Sequence, residues 1–113
     1  MTPDKRDRDL SRGESLFWEL AEELLNESGI TRSTMMGYPC LRIRGAFFAC
    51  VERKTGHLVL KLPADRVQKL VRSGRALPFA PNGRVFREWA AISQPNRKRW
   101  TAMLTEALGF VAR

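Results

Sequence analysis

The spacing of apolar residues changes along the chain, and this change limits the folds available to it. Between Leu16 and Leu25 the apolar residues recur at helical spacing, which predicts an amphipathic helix with an acidic outer face. Between Pro39 and Leu62 they alternate, which predicts β-strands separated by turns. A helix followed by alternating strands indicates an α+β fold.

The ends of the first helix and of the domain can be predicted from local signals. Ser11 and Glu14 match a capping box, so the helix is expected to begin there, and Gly29 is a natural C-terminal stop. Residues 1–10 are expected to be frayed. The remaining residues, 11–113, are expected to form one domain, because a chain of 113 residues has the size of a single typical domain.

Three strands are expected near 39–43, 46–53 and 57–62, with turns at Arg44-Gly45 and at 54–56. A regular ladder pairs Leu41 with Phe48 and Cys50 with Leu60, and it sends Cys40 and Cys50 to opposite faces. One face is then predicted to carry Leu41, Ile43, Phe48, Cys50, Leu58, Leu60 and Leu62. The other is predicted to carry Arg42, Arg44, Phe47, Ala49, Val51, Arg53, His57, Val59 and Lys61.

The rest of the chain predicts two more helices and at least one more strand. A second helix is expected from Pro63 to Gly74, a loop over 75–84 and a strand over 85–92. A final helix is expected after Pro95, and its predicted buried face consists of Trp100, Met103, Leu104, Ala107, Leu108 and Val111. The predicted fold is therefore α+β, with a three-stranded antiparallel meander and a further strand packed against N-terminal, middle and C-terminal helices.

The residues that usually carry enzyme or metal chemistry are scarce. His57 is the one histidine and lies beside a predicted turn, so no histidine-based catalytic scheme is expected. Cys40, Cys50 and His57 offer at most three metal ligands, and no cofactor motif occurs. We expect a non-enzymatic protein without a cofactor and with buried free thiols. Since no long apolar run or leader is visible, we expect it to be cytoplasmic and not membrane-bound.

Positive charge is distributed unevenly. The net charge is +8, but residues 1–30 hold 4 basic and 8 acidic side chains, which leaves 16 basic and 4 acidic for the rest. Such a surface attracts polyanions, nucleic acid first among them. Phosphate contacts are predicted at Arg97, Lys98 and Arg99 in the first turn of the last helix, at Arg42, Arg44 and Lys61 beside Phe47 on the sheet, and at Arg66, Lys69 and Arg72 on the second helix.

Each of these basic groups also has an interpretation without phosphate binding. The basic cluster at Arg97, Lys98 and Arg99 can be solvated, with its mutual repulsion reduced by the acidic face of the first helix. The basic stripe of the second helix can be its solvent-exposed side. The sheet face can instead be covered by another helix or by a second subunit, with Ala49, Val51 and Val59 as contacts.

A family resemblance adds to these predictions. Residues 35–49, which read MMGYPCLRIRGAFFA, resemble the start of the TfoX N-terminal domain family and of the related MmcQ/YjbR family. The resemblance continues through residues 58–61 to Pro78-Phe79 and Gly83-Arg84, and covers about residues 14–112. It implies a compact α+β domain, and its members include regulators of bacterial DNA-uptake competence and proteins suspected of binding DNA.

The sequence thus predicts a small nucleic-acid-binding or transcription-accessory protein that acts through its basic surface. The alternative is a protein-interaction module or homodimer without a nucleic-acid role. Its partners would accordingly be DNA or another polyanion, or else a protein.

Overall fold

The structure is a computed structural model that describes residues 5–113, with side chains from Arg12 onward. It contains one six-stranded antiparallel sheet and three helices, which confirms the predicted α+β fold. The helices are α1 (Lys5–Leu25), α2 (Ala64–Arg72) and α3 (Arg97–Val111), and the strands are β1 (Ile30–Met35), β2 (Tyr38–Ile43), β3 (Ala46–Val51), β4 (Leu58–Lys61), β5 (Leu77–Pro78) and β6 (Trp89–Ile92). Their order in the sheet is β1-β2-β3-β4-β6-β5.

One face of the sheet is packed against all three helices. The buried helical residues of the main core are Phe17, Leu20, Ala21, Val67, Leu70, Trp100, Met103, Leu104 and Ala107. They lie against Leu41, Ile43, Phe48, Ala49, Val51, Leu58, Leu60, Ala90 and Ile92 of the sheet. We call this the helix-covered face. The predicted buried side of α3 is confirmed, with Leu108 and Val111 half-buried at its rim.

Two-residue turns set the strand pairing of the first hairpins. Met36-Gly37 joins β1 to β2 and Arg44-Gly45 joins β2 to β3, and all four residues have positive φ. Paired positive φ angles are the geometry of type I′ turns, whose twist matches that of the strands they join. The predicted turn at Arg44-Gly45 is therefore confirmed.

The predicted register beyond that turn is wrong because β3 contains a bulge. The ladder begins regularly with Ile43 opposite Ala46 and Arg42 opposite Phe47, then shifts so that Leu41 lies opposite Ala49. Phe48 is the extra residue and joins the main core. Because the shift reverses the faces of the following residues, Ala49 and Val51 lie on the helix-covered face and Cys50 on the other.

Several predicted boundaries also change. Helix α1 begins at Lys5, so Ser11 lies inside it and the capping box at Ser11 is wrong; residues 1–4 of the predicted frayed segment lie outside the described residues. The strand predicted over 85–92 shortens to β6, because residues 85–88 belong to a turn-rich segment. The loop predicted over 75–84 contains β5, and β1 was not predicted at all.

The second face of the sheet has no helix packed on it among the described residues. A smaller apolar cluster occupies its centre, formed by Cys40, Cys50, Val59, Phe79 and Ala91. Phe79 enters it from the segment after β5 and stacks at 5.8 Å on Phe86. We call this the open face. None of the helices in the described part of the chain is long and apolar enough to cross a bilayer.

Candidate nucleic-acid interface

Four side chains at one end of the open face alternate between cation and aromatic ring. Arg42 on β2 lies opposite Phe47 on β3, and Lys61 on β4 lies opposite Trp89 on β6. Since β2, β3, β4 and β6 are consecutive in the sheet, this row spans about 14 Å at the usual strand spacing of about 4.8 Å. All four side chains are half-buried. We call this row the platform.

Arg42 lies over the aromatic ring of its neighbour on β3. Its guanidinium carbon lies 4.2 Å from the centre of the Phe47 ring, a cation–π contact. The Nε–H of Arg42 is buried and has no hydrogen-bond partner in the structure. A buried, unpaired donor on a permanent cation is costly, and an anion could pair with it only if the Arg42 side chain shifted to expose it.

Arg44 does not join this group. It occupies the positive-φ position of the β2–β3 turn, and its side chain lies so close to Gly29 that a Cβ there would be 3.3 Å from the Arg44 Cγ. Arg44 therefore packs against the end of the α1–β1 connection, just before β1 begins.

The opposite end of the open face is formed by the β3–β4 turn. Thr55 Oγ1 donates a hydrogen bond of 3.0 Å to Glu52, and the His57 amide donates one of 3.2 Å to Thr55 Oγ1. Burial lowers the pKa of His57, an effect that Glu52 partly offsets, so the imidazole is neutral at pH 7. Burial raises the pKa of Tyr38 on the neighbouring β2, with a further contribution from Glu52, so its phenol is neutral as well.

The two cysteines lie directly opposite each other between these two ends. Cys40 and Cys50 are partners in the β2–β3 ladder and both are buried free thiols. The prediction that they lie on opposite faces is therefore wrong, because the bulge turns Cys50 to the open face. Desolvation raises the pKa of both thiols. Among the described residues no group of three or more histidine, cysteine or acidic side chains is placed to hold a metal ion.

The basic residues of α3 lie elsewhere. Arg97 forms an ion pair with Glu19 of α1, and the cleft around it also contains Glu22 and Glu23. The Asn96 side chain accepts the Arg99 amide at 2.9 Å and so caps the helix. The Arg99 guanidinium donates to the Arg75 carbonyl, while Lys98 is exposed. Acids and a cap thus occupy much of this helix end.

The basic stripe of α2 is also separate from the platform. The Arg66 guanidinium donates two hydrogen bonds to the Glu106 carboxylate of α3, from Nε at 2.9 Å and from Nη2 at 3.2 Å. This contact raises the pKa of Arg66. Lys69 and Arg72 are exposed. Since α2 packs on the helix-covered face, the nine predicted phosphate contacts form separate groups, and only Arg42 and Lys61 share the open face.

Sequence reasoning missed Trp89 and the cations of the segment beside it. Trp89 lies in the strand predicted over 85–92 and was not among the predicted contacts, yet it is half-buried on the platform. Arg84 and Arg87 are exposed on the segment between Phe79 and Trp89, which folds over the open face. Residues 84–89 read RVFREW, in which two arginines alternate with two aromatic residues, and this pattern could have indicated them.

Comparison with family models, with curated proteins and with solved structures found no match to this chain. The resemblance to the TfoX N-terminal and MmcQ/YjbR families therefore stays a prediction.

Proposed function

We propose that this protein binds nucleic acid through the open face of its sheet. The observation that carries the proposal is the platform, in which Arg42 stacks on Phe47 with an unpaired Nε–H and Lys61 lies opposite Trp89. Cations bind phosphates and exposed ring faces stack on bases, so an alternating row suits a polynucleotide better than a simple anion.

The charge distribution supports this choice of ligand. Most of the acidic residues lie in the first 30 residues, while β2, β4 and the segment with Arg84 and Arg87 belong to the strongly basic remainder. A field of this kind raises the local concentration of polyanions and speeds their association. Stacking of one base on an aromatic ring contributes about 1–3 kcal/mol, which is comparable with the salt-dependent phosphate contacts.

The other basic groups support binding less well. Arg97 is neutralised by Glu19 in an acidic cleft, and Arg66 is neutralised by Glu106. Ion pairs of this kind compete with phosphate for the same donors. Among the residues that the structure describes, Lys69 and Arg72 form no such ion pair, and neither lies over an aromatic ring that would favour a polynucleotide.

The test replaces the platform cations and compares them with an equal change elsewhere. The double variant Arg42→Gln, Lys61→Gln should weaken binding of labelled oligonucleotides about tenfold or more. It should also make the decrease of log affinity with log salt less steep, by about one to two in slope. Lys69→Gln with Arg72→Gln removes the same charge from α2 and is the matched control. Fluorescence anisotropy at 50 and 200 mM salt, with heparin as competitor, measures both variants.

Either of two results would contradict the proposal. Absence of binding at low salt would exclude the nucleic-acid function. Equal losses in the two double variants would mean that net charge alone drives binding, with no role for the platform. The triple variant of Arg97, Lys98 and Arg99 to Gln, tested alongside, should lose less affinity than the platform variant.

We extend the proposal to the setting of this function. A transcription-accessory role without enzymatic activity agrees with the resemblance to the TfoX N-terminal family. A cytoplasmic location agrees with the two facing thiols being free, because disulfides are rare in a reducing compartment.

A second candidate function is binding to a protein. Three exposed large apolar residues lie beside the open face: Leu77 on β5, and Val85 and Phe86 on the segment after it, with exposed fractions of 48%, 56% and 37%. Exposed apolar groups of this size can mark a protein contact. A contact of this type would persist at high salt, which separates it from phosphate binding.

A further inference from the structure

A pocket of about 300 Å³ lies at the end of the open face opposite the platform. Tyr38 lines it, four residues before Arg42 on the same strand, which places it about 13 Å from the platform at about 3.3 Å per residue. The β3–β4 turn forms one wall with Glu52, Lys54 and His57, and the segment after β5 forms the other with Phe79 and Ala80. We call this the end pocket.

The wall formed by the β3–β4 turn is held rigidly. Within the turn, the Gly56 amide donates to the Glu52 carbonyl at 2.7 Å and the Glu52 amide donates to the His57 carbonyl at 3.0 Å. From behind, α1 touches the turn so closely that a Cβ on Gly13 would be 2.0 Å from the Gly56 carbonyl oxygen. A site held by its surroundings in this way loses little conformational entropy when it binds a ligand.

The opposite wall is apolar. Phe79 is almost fully buried in the cluster beneath the pocket, and Pro78 and Pro81 flank it. Proline restricts the backbone on both sides of the ring. The pocket therefore combines an apolar wall with a polar one.

The polar wall offers both kinds of hydrogen-bonding group. Glu52 accepts, Lys54 donates, and the neutral imidazole of His57 and phenol of Tyr38 can each do both. A heterocyclic base presents donors and acceptors on its edge and an apolar face for stacking, and proteins read unpaired bases through these two features. The volume lies at the small end of the usual range for ligand pockets, about 300–1,000 Å³, which suits one base.

We propose that the end pocket holds one unpaired base of a strand whose phosphates contact the platform, so that the ligand is single-stranded nucleic acid. This inference rests on the proposed function and names its ligand. In a duplex the base edges are paired and the faces stacked, so no base could enter the pocket without being flipped out.

The test fills the pocket without disturbing the platform or the core. Ala80 is exposed and lines the pocket, so Ala80→Trp should block it, while Ala102→Trp places the same side chain on an exposed position of α3. Ala80→Trp should weaken binding of a single-stranded oligonucleotide about tenfold, and Ala102→Trp should leave it unchanged. The wild-type protein should bind the single strand more tightly than the corresponding duplex.

A second readout does not depend on affinity. Because His57 is the one histidine in the chain, its imidazole proton signals report directly on the end pocket. They should shift when a nucleoside monophosphate or a short single strand is added to the wild-type protein, and should not shift in Ala80→Trp.

The outcomes separate this inference from the proposed function. If the platform variant loses affinity but Ala80→Trp binds like the wild type and the His57 signals stay fixed, the platform stands and the end pocket does not hold a base. If duplex binds as well as single strand, the inference is overturned in the same way. If no oligonucleotide binds at all, both proposals fail together.

Discussion

The two faces of the sheet differ in how they are closed. The helix-covered face is sealed by three helices around Trp100 and Phe17, both fully buried. The open face is closed at its centre by Phe79 and leaves half-buried aromatic and basic side chains at its ends. The first arrangement stabilises the fold, whereas the second leaves chemical groups available to a ligand. Mutations should therefore affect stability on one face and binding on the other.

The largest expected effect on stability is on the helix-covered face. Trp100→Ala should lower the free energy of unfolding by about 3–5 kcal/mol, because it leaves a large cavity in the main core. Trp89→Ala, its counterpart on the open face, should cost about 1 kcal/mol or less, because that ring is half-buried. Urea denaturation followed by circular dichroism measures both variants.

Trp100→Phe provides a milder variant in case Trp100→Ala does not fold. The Trp100 Nε–H is buried and has no hydrogen-bond partner within the described part of the chain, so its removal offsets part of the packing loss. If Trp89→Ala destabilised the protein as much as Trp100→Ala, the open face would be part of the stabilising core and the contrast between the faces would be wrong.

A smaller effect is expected where α1 backs onto the turn that forms the end pocket. Gly13→Ala should destabilise the protein by about 1–3 kcal/mol, because its Cβ would collide with the Gly56 carbonyl and neither backbone can move freely. Gly109→Ala is the control, since nothing lies within 4 Å of a Cβ at this position in α3. It should stabilise by about 0.5–1 kcal/mol, the usual gain of alanine over glycine in a helix. Thermal unfolding that showed shifts of the same sign for both variants would contradict the close contact.

The fold could be predicted from the sequence further than the site could. The helices α2 and α3, the turn at Arg44-Gly45 and the shared face of Arg42, Phe47, His57 and Lys61 follow from periodicity and turn chemistry. The bulge at Phe48 has no local signal, and it alone moved Cys50 to the open face. Strand β1 was not predicted because only Ile30 in it is buried, so the strand lacks the alternation of apolar residues. Its two threonines, which favour β-strands, were the available signal.

The site needed information that the sequence does not contain. The pairing of Arg97 with Glu19 and of Arg66 with Glu106 joins residues far apart in the chain, and these pairs decide which cations are free. Trp89 and Trp100 are both tryptophans, so residue type alone does not distinguish a core residue from a platform residue. The pairing of Trp89 with Lys61 in the sheet places it on the platform. Residue composition thus indicated a basic surface. The tertiary structure then showed which basic residues lie on the open face.

The smallest effect expected concerns pH, and it belongs to the open face alone because His57 lies there. Burial holds the His57 pKa below its ordinary value of 6.5, so the unfolded chain binds a proton more readily than the folded one. The stability that this group supports is complete above pH 6.5 and is lost as the pH falls through the lowered folded value. His57→Gln should therefore reduce the loss of stability of the wild type on acidification, as measured by urea denaturation at pH 7 and pH 5. An NMR titration of the imidazole gives its pKa directly, and a value above 6.5 would mean that Glu52 outweighs burial. At any pH below that value the end pocket would hold an imidazolium, which could no longer accept a hydrogen bond from a base.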